Sequence, residues 1–289
     1  MVDLQSLFIQ FKREKEYLKY VTSATLRAYD KSWVAFKYHY GCICVLPTED
    51  TVKAVMASWL QSGLAPGAAN SYARSVNSFL SWLHESGTTT KRLRIQLAAT
   101  PRRVLKTYSE QDARKIVNHK PTTRAGKRVL ALLYLLIDTG ARINEALSLT
   151  RDGIDWENFL VTLYGKGRKE RKVPISPECR KALFRYVNTH NFALVFCTRD
   201  GLALQYHNIK RDFLAVLDAV GVEKSEGSFH AFRRFFGKTY LRNGGNSIHL
   251  KQLFGHTTMQ MVARYVEEDA ELLRDAHQKL SPLEGLKRR

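Results

Sequence analysis

Cysteine and proline are scarce in this sequence. Its 289 residues include four cysteines and seven prolines. Cys42 and Cys44 form one C-x-C pair, whereas Cys179 and Cys197 stand alone, and no second pair or nearby histidine completes a zinc-like spacing. A disulfide framework or a structural metal is therefore disfavoured. We expect free thiols in a reducing cytoplasm.

Long hydrophobic runs are also missing. The longest, Val129–Ile137, falls short of the roughly 18 apolar residues that a membrane helix needs. No secretory leader precedes the charged residues around Lys12–Lys19. The sequence therefore predicts a soluble, intracellular protein. It also lacks a carboxylate cluster for two metal ions and a glycine-rich phosphate loop, so neither a metal nor a nucleotide cofactor is expected.

Negative charge is sparse, and the resulting positive balance is the strongest feature of the composition. Lysine and arginine number 46 against 27 aspartates and glutamates, which gives a net charge of +19. Residues 1–106 carry +8 of this excess and the rest of the chain carries +11. A net charge this far above the roughly 2–8 of ordinary small-domain surfaces indicates a polyanionic partner rather than solubility alone. Nucleic acid is the usual one, and both halves are expected to face it.

The first part of the chain has the periodicity of short helices and no strand pattern. One helix is predicted with Ser23 as its cap, a second from Thr48, and a third after Pro66 that closes at Gly87. Residues 1–87 are therefore predicted to form a small all-helical domain. Residues 88–107 lose this periodicity and gain basic residues, which indicates an interdomain linker able to lie along a DNA backbone.

A second, larger domain is predicted over residues 108–289. Ser109 and Asp112 resemble a capping box at the start of its first helix. Two short β-type runs, 159–164 and 172–175, flank a basic, glycine-rich stretch and predict a hairpin with a basic tip. The predicted fold class is mainly α, with a small helical N-terminal domain and a larger, mostly helical domain that contains a small β-sheet or hairpin.

Three patches of the second domain contain residues suited to phosphate chemistry: Arg142, Lys166, His230, Arg233, His256 and Tyr265. The first patch follows Gly140, which is predicted to break a helix, and includes Glu145 one turn later. Each residue has an ordinary alternative when taken alone: a surface Arg–Glu pair, a hairpin-tip lysine, a helix-end histidine or a core tyrosine. The H-x-x-R spacing alone is weak in so basic a chain. The complete set, in this order, is not ordinary.

In order and spacing, these patches resemble the signature of the tyrosine recombinases, also called the phage-integrase family. That signature has an Arg in T-G-x-R-x-x-E, a hairpin Lys in G-K-G, an H-x-x-R, a His in L-G-H and a Tyr about nine residues later, which here are Arg142, Lys166, His230, Arg233, His256 and Tyr265. Phe254 replaces the leucine of L-G-H, and Arg234 follows where a polar residue is more usual. The resemblance covers residues 108–289, and the first domain agrees in helical pattern with the family's core DNA-binding domain.

The resemblance implies that the oxygen of Tyr265 attacks a DNA phosphodiester, which gives a 3′-phosphotyrosyl link and a free 5′-hydroxyl. The two arginines of the set and His256 then bind the nonbridging oxygens, because fixed cations stabilise the charge that develops in phosphoryl transfer. His230 takes the proton of the tyrosine, and Lys166 protonates the leaving oxygen. No cofactor is implied, since the phosphotyrosyl bond conserves the energy of the bond that breaks.

The resemblance also implies a site-specific recombinase that works as a homotetramer on double-stranded DNA with paired half-sites, in the cytoplasm and associated with the nucleoid. A C-terminal segment of about residues 271–289 is expected to pass to a neighbouring protomer. Because no arm-binding domain precedes the first helices, resolution of chromosome dimers or of transposons is expected, with phage and plasmid elements left open.

Three other functions agree less well with the sequence. A binding module without activity has no use for the nucleophile. A type IB topoisomerase fits the short two-domain layout less well. A metal-dependent nuclease needs acidic ligands that the sequence does not offer.

Overall fold

The computed structural model describes residues 3–41, 44–101, 106–165, 169–225, 228–255, 258–260, 262–263, 274, 277–278, 281 and 283. The chain divides into two compact units, Met1–Arg103 and Val104–Arg289. Helices dominate both, and one small antiparallel sheet lies in the second, which confirms the predicted fold class. Within the described ranges, no helix is both long enough and apolar enough to cross a membrane.

The described part of the first unit contains four helices: α1 (Leu4–Tyr17), α2 (Ser23–Tyr40), α3 (Glu49–Gln61) and α4 (Pro66–Glu85). Thr48 caps α3 as predicted, but the cap of α2 is Thr22 rather than Ser23, which is the first helical residue. The helix α1 was not predicted from the sequence. The helix α1 contacts α2 through aromatic rings, because Phe8 stacks on Trp33 with ring centroids 4.5 Å apart.

The segment after α4 is extended and packs on that helix. Leu93 and Ile95 are buried in the core of the first unit. Asn77 exchanges two hydrogen bonds with the backbone of Ile95, at 2.7 and 2.9 Å, and Asn70 does the same with Ala98 at 2.8 and 2.9 Å. Since the two asparagines are seven residues apart on α4, they bind the segment along one face of the helix. This segment lies within the range predicted as a linker.

The described part of the second unit contains seven helices: α5 (Glu110–Val117), α6 (Arg124–Thr139), α7 (Ile143–Leu147), α8 (Pro177–Val187), α9 (Tyr206–Ala219), α10 (His230–Arg242) and α11 (Ser247–Phe254). Ser109 and Asp112 form the predicted capping box of α5. The apolar helix α6 runs through the centre of the unit, since most of its hydrophobic side chains are fully buried. It therefore supplies a rigid base for the turn that follows it.

The sheet has three strands in the order β1 (Ile154–Asp155), β2 (Leu160–Tyr164) and β3 (Glu170–Pro174). The hairpin of β2 and β3 was predicted, with β3 now beginning two residues earlier than expected. Val161 pairs with Val173 and Leu163 pairs with Arg171 across the two strands. Val161, Leu163 and Val173 are buried in the core, so this face of the hairpin is anchored to the rest of the unit.

Candidate active site

The turn between α6 and α7 carries Arg142. Gly140 ends α6 in the left-handed conformation, at φ = 60°, and donates its N–H to the carbonyl of Leu136. A Cβ atom at this position would lie 2.5 Å from the ring of Phe254, so only glycine fits both the conformation and the space. Arg142 is the N-cap of α7. The predicted helix break at Gly140 is confirmed, and it directs the chain so that Arg142 begins a new helix.

Glu145 fixes the position of Arg142. Its carboxylate accepts the backbone N–H of Arg142 at 2.8 Å and a guanidinium N–H of the same residue at 2.8 Å. The side chain of Arg142 is still 40% exposed, whereas that of Glu145 is 4% exposed. The alternative of a freely solvated surface pair therefore does not apply. The remaining N–H groups of Arg142 are available to a phosphate oxygen.

A second arginine, Arg171 on β3, binds the other side of Glu145. Its two terminal nitrogens donate to the two carboxylate oxygens at 2.9 and 2.7 Å, and its Nε donates to the carbonyl of Leu253 at 3.0 Å. Burial acts to raise the pKa of Glu145, but the hydrogen bonds from Arg171 and Arg142 outweigh it and lower that pKa to about 2. Glu145 is therefore ionised throughout the physiological pH range.

Arg171 was not predicted as a site residue. It shares a face of β3 with the buried Val173 and so points inward. The predicted run began only at residue 172, so neither this inward position nor the need for a buried partner was visible in the sequence. Glu145 lies 26 positions earlier in the chain, and no sequence periodicity links the two residues.

Arg233 and Arg234 occupy different surroundings on α10. Arg233 is 1% exposed, and its guanidinium donates to the carbonyls of Gly140 at 2.7 Å and Phe254 at 2.8 Å while it stacks on the Phe254 ring. Arg234 donates to the carbonyl of Lys106 at 2.6 Å. It is Arg233, rather than Arg234, that joins the turn before Arg142 to the end of α11. Its predicted phosphate contact stays a prediction.

His230 is the first residue of α10 and lies beside the two arginine-bearing elements. Desolvation of its ring, together with the positive charges of Arg233, Arg234 and Arg142, lowers its pKa below the ordinary value. The neutral imidazole is therefore the dominant form at neutral pH. A neutral imidazole can accept a proton, as the predicted role requires.

These elements surround a cleft of about 470 Å³. It is lined by residues of α7, β2, α9 and α10 and by residues next to these elements. They are Arg142, Ile143, Asn144, Glu145, Tyr164, Gly165, Tyr206, Phe229 and His230. Of the six predicted site residues, Arg142 and His230 thus line one cleft, and Arg233 lies behind it. Among the residues that the structure describes, no group of three or more His, Cys, Asp or Glu side chains is arranged to hold a metal ion.

Lys166, His256 and Tyr265 lie outside the described residues. Their described neighbours are close to the cleft or to its arginines. Gly165 lines the cleft and donates its N–H to the carbonyl of Lys169 at 2.8 Å. Gly255 ends α11 with φ = 61°, and its Cα faces the aliphatic part of Arg171. Val262 is buried against Leu250 and Phe254.

A family model described as the phage integrase family matches residues 106–271. Among curated proteins, the tyrosine recombinase XerD of Listeria innocua is 24% identical over 282 residues, which cover 91% of this chain and 94% of that protein. The tyrosine recombinase XerC of Bacillus subtilis is 28% identical over 168 residues, which cover 55% of each chain.

Solved structures show the same fold. The Tn1549 transposon integrase in complex with transposon right-end DNA has a TM-score of 0.77 at 15% identity, with 97% of this chain and all of that chain covered. The XerH site-specific recombinase bound to a palindromic difH substrate has a TM-score of 0.73 at 16% identity, with 96% of this chain and 85% of that chain covered.

Proposed function

Because the chain belongs to the phage integrase family and is a site-specific tyrosine recombinase that cleaves and rejoins DNA, we propose that Tyr265 is its nucleophile. The other members of the site are Arg142, Lys166, His230, Arg233 and His256. The observation that supports this site most directly is a pair of arginines: Arg233, which is buried, and Arg171, whose side chain is 13% exposed. Arg233 joins Gly140 to Phe254, and Arg171 joins Glu145 to Leu253, so the segments on either side of Arg142 are bonded to the end of α11 that precedes His256.

The proposed cleavage step uses only groups of this chain. The phenolic oxygen of Tyr265 forms a bond to phosphorus, and the bond from phosphorus to the 5′-oxygen breaks. His230 accepts the phenolic proton, and Lys166 gives a proton to the departing 5′-oxygen. Arg142, together with Arg233 and His256, stabilises the charge on the nonbridging oxygens, which is greatest in the transition state. Rejoining is the same step in reverse, with a 5′-hydroxyl as the attacking group.

The lowered pKa of His230 suits this assignment. An imidazolium cannot accept a proton, whereas the neutral ring favoured by the nearby arginines can. The same positive charges favour the phenolate form of a tyrosine that enters the cleft, whose ordinary pKa of about 10 makes it a weak nucleophile at neutral pH.

Covalent cleavage tests the proposed function directly. Incubation with a duplex that carries a nick close to the cleavage point should trap a protein–DNA adduct, because the short 5′-hydroxyl strand diffuses away and rejoining fails. The adduct should form equally with EDTA present. The released 5′ end should accept phosphate from polynucleotide kinase, and the 3′ end should stay blocked by protein. An EDTA-sensitive cut, or a free 3′ end, would contradict the proposal.

Arg142→Lys should slow single-turnover cleavage by about 10²-fold, since removal of one well-placed donor to a charged transition state costs about this much. Lysine keeps the charge but cannot bind a phosphate through two N–H groups. Arg114→Lys is the matched control, because Arg114 is exposed and forms an ion pair with Glu110 on the surface. Cleavage by the Arg142 variant within a few-fold of the natural rate would show that charge alone suffices.

The proposed partner is double-stranded DNA with paired half-sites, bound by a homotetramer in the cytoplasm and on the nucleoid. The proposed context is resolution or movement of a replicon or mobile element. Assembly is assigned to residues 271–289, where the sequence places Leu272, Leu273, His277 and Leu280 at near-helical spacing. A segment passed from each protomer to the next gives a ring with closed symmetry.

Deletion of residues 271–289 should therefore leave half-site binding intact and weaken cooperative binding to the full site and recombination. Gel shifts on half-sites and full sites measure the two properties separately. A chain that lacks only residues 287–289 controls for the loss of basic charge and should behave as the natural chain. If the longer deletion abolishes half-site binding, the tail belongs to the folded core and the assembly role is wrong.

A further inference from the structure

We propose that Arg171 is a positioning residue for strand cleavage, which holds three segments of the active site in one arrangement. These are the turn that carries Arg142, the hairpin that carries Lys166 and the end of α11 that leads to His256. The inference rests on the proposed function, because it assigns a role toward the residues named there. Arg171 itself is not assigned to touch DNA.

The contacts of Arg171 use the whole guanidinium. Two parallel bonds to Glu145 fix its plane relative to α7, and the third bond, from Nε to the carbonyl of Leu253, fixes it relative to α11. Gly255 packs on the aliphatic part of Arg171. A Cβ atom at Gly255 would lie 3.3 Å from Cδ of that arginine. A planar group with three directed bonds sets both distance and orientation, which a flexible ammonium cannot do.

The hairpin is joined to this arrangement because Arg171 belongs to it. Arg171 pairs with Leu163 in the sheet and stands two residues beyond Lys169, whose carbonyl accepts the N–H of Gly165. Gly165 in turn lies against the Glu145 carboxylate. The loop that contains Lys166 therefore begins and ends next to the Glu145–Arg171 pair. A shift of Arg171 moves both ends of that loop relative to Arg142.

The inward position of Arg171 favours a role beyond packing. Its side chain is 13% exposed and its partner Glu145 is 4% exposed. An apolar pair of similar volume in such a place is often as stable as an ion pair, because burial of two charges costs much of what their attraction gains. Leu163, the partner of Arg171 across the sheet, and Val173 on the same strand as Arg171 belong to the hydrophobic core of the unit. An apolar residue at this position would not form the hydrogen bonds by which Arg171 connects the three segments.

The test compares Arg171→Met and Arg171→Lys with Arg180→Met. Arg180 is a suitable control because it is also a partly buried arginine of this unit, bound to the carbonyl of Trp156 and the ring of Phe159, away from the cleft. Three measurements are made on each full-length chain: half-site binding, urea unfolding, and single-turnover cleavage of the nicked duplex between pH 4 and 9.

Arg171→Met should bind a half-site almost as the natural chain does yet cleave about 10²-fold more slowly, as expected for misplacement of reacting groups by about 1 Å. Arg171→Lys should retain stability better and recover only part of the rate. The pH profile separates this role from simple loss of packing. Without Arg171, the Glu145 carboxylate loses two of the hydrogen bonds that lower its pKa, so its protonation should add a loss of cleavage toward low pH.

Arg180→Met should lose stability without that change in pH profile. If Arg171→Met does not fold, the cleavage rate of Arg171→Lys and the pH dependence of that rate test the positioning role instead. A folded Arg171 variant that cleaves at the natural rate with the natural pH profile would overturn the inference, as would a loss no larger than that of Arg180→Met at equal stability. A natural chain that forms no adduct would instead overturn the proposed function.

Discussion

Tyr265→Phe is expected to abolish the covalent protein–DNA adduct while half-site binding stays almost unchanged. The substitution removes one oxygen and keeps the ring, so packing around residue 265 is disturbed very little. Without that oxygen no bond to phosphorus can form from this position, and no other residue of the proposed site carries a hydroxyl group. Denaturing gels with the nicked duplex measure the adduct, and gel shifts at matched salt measure binding.

The control for this prediction is Tyr240→Phe. Tyr240 packs on Phe236 beside the cluster that contains Val262, and it is not among the residues that line the cleft. It should form the adduct at the natural rate. If Tyr265→Phe still forms an adduct, another residue is the nucleophile, and Tyr164 and Tyr206, which line the cleft, become the candidates to replace next.

Glu145→Gln is expected to lower the free energy of unfolding by about 3 kcal/mol at neutral pH. The estimate follows from the fall in the pKa of this carboxyl from 4.5 to about 2 in the folded chain, at about 1.4 kcal/mol for each pH unit. It agrees with the cost of leaving a buried cation without its partner, roughly 3–5 kcal/mol. Arg171 is the cation most affected, because it is largely buried. Cleavage should fall as well, since Arg142 loses its fixed orientation.

The pH dependence of this effect has a definite sign. The folded-state pKa of Glu145 is depressed, so its contribution to stability is fully present above about pH 4.5 and is lost as the pH falls toward 2. Urea unfolding of the natural chain and the variant between pH 7 and 3 should therefore show a difference that narrows below pH 4.5. Glu157→Gln removes an exposed carboxylate of the same unit and should have little effect at any pH. A difference that does not change with pH would rule out the ionised carboxylate as the cause.

Local features of the fold were predictable because they depend on neighbouring residues. The capping box at Ser109, the helix break at Gly140 and the β-hairpin each have a short-range cause, and the structure contains all three. The cap of α2 was placed one residue late because two adjacent hydroxyl residues, Thr22 and Ser23, can both serve. The two-residue strand β1 is too short to produce a periodic pattern.

Other features depend on contacts between distant parts of the chain. The helix α1 buries Leu4, Phe8 and Phe11, a helical spacing that the many charges after Lys12 concealed. The burial of Arg233 results from carbonyls supplied by Gly140 and Phe254, which no spacing in the sequence brings near it. The partnership of Arg171 with Glu145 has the same origin. The sequence could therefore indicate the residues of the site. It could not indicate the contacts by which Arg171 and Arg233 connect the segments of the site.

The two asparagines of α4 also indicate where the first unit can be cut from this chain and joined to another protein. Each of them supplies one donor and one acceptor to a single backbone residue of the extended segment, and Leu93 and Ile95 of that segment are buried in the core. The first unit as a transferable module therefore includes residues up to 101. A chimaera joined after Gly87 would leave an apolar surface uncovered and two amide side chains without their backbone partners, so the natural seam for exchange lies beyond Ala98.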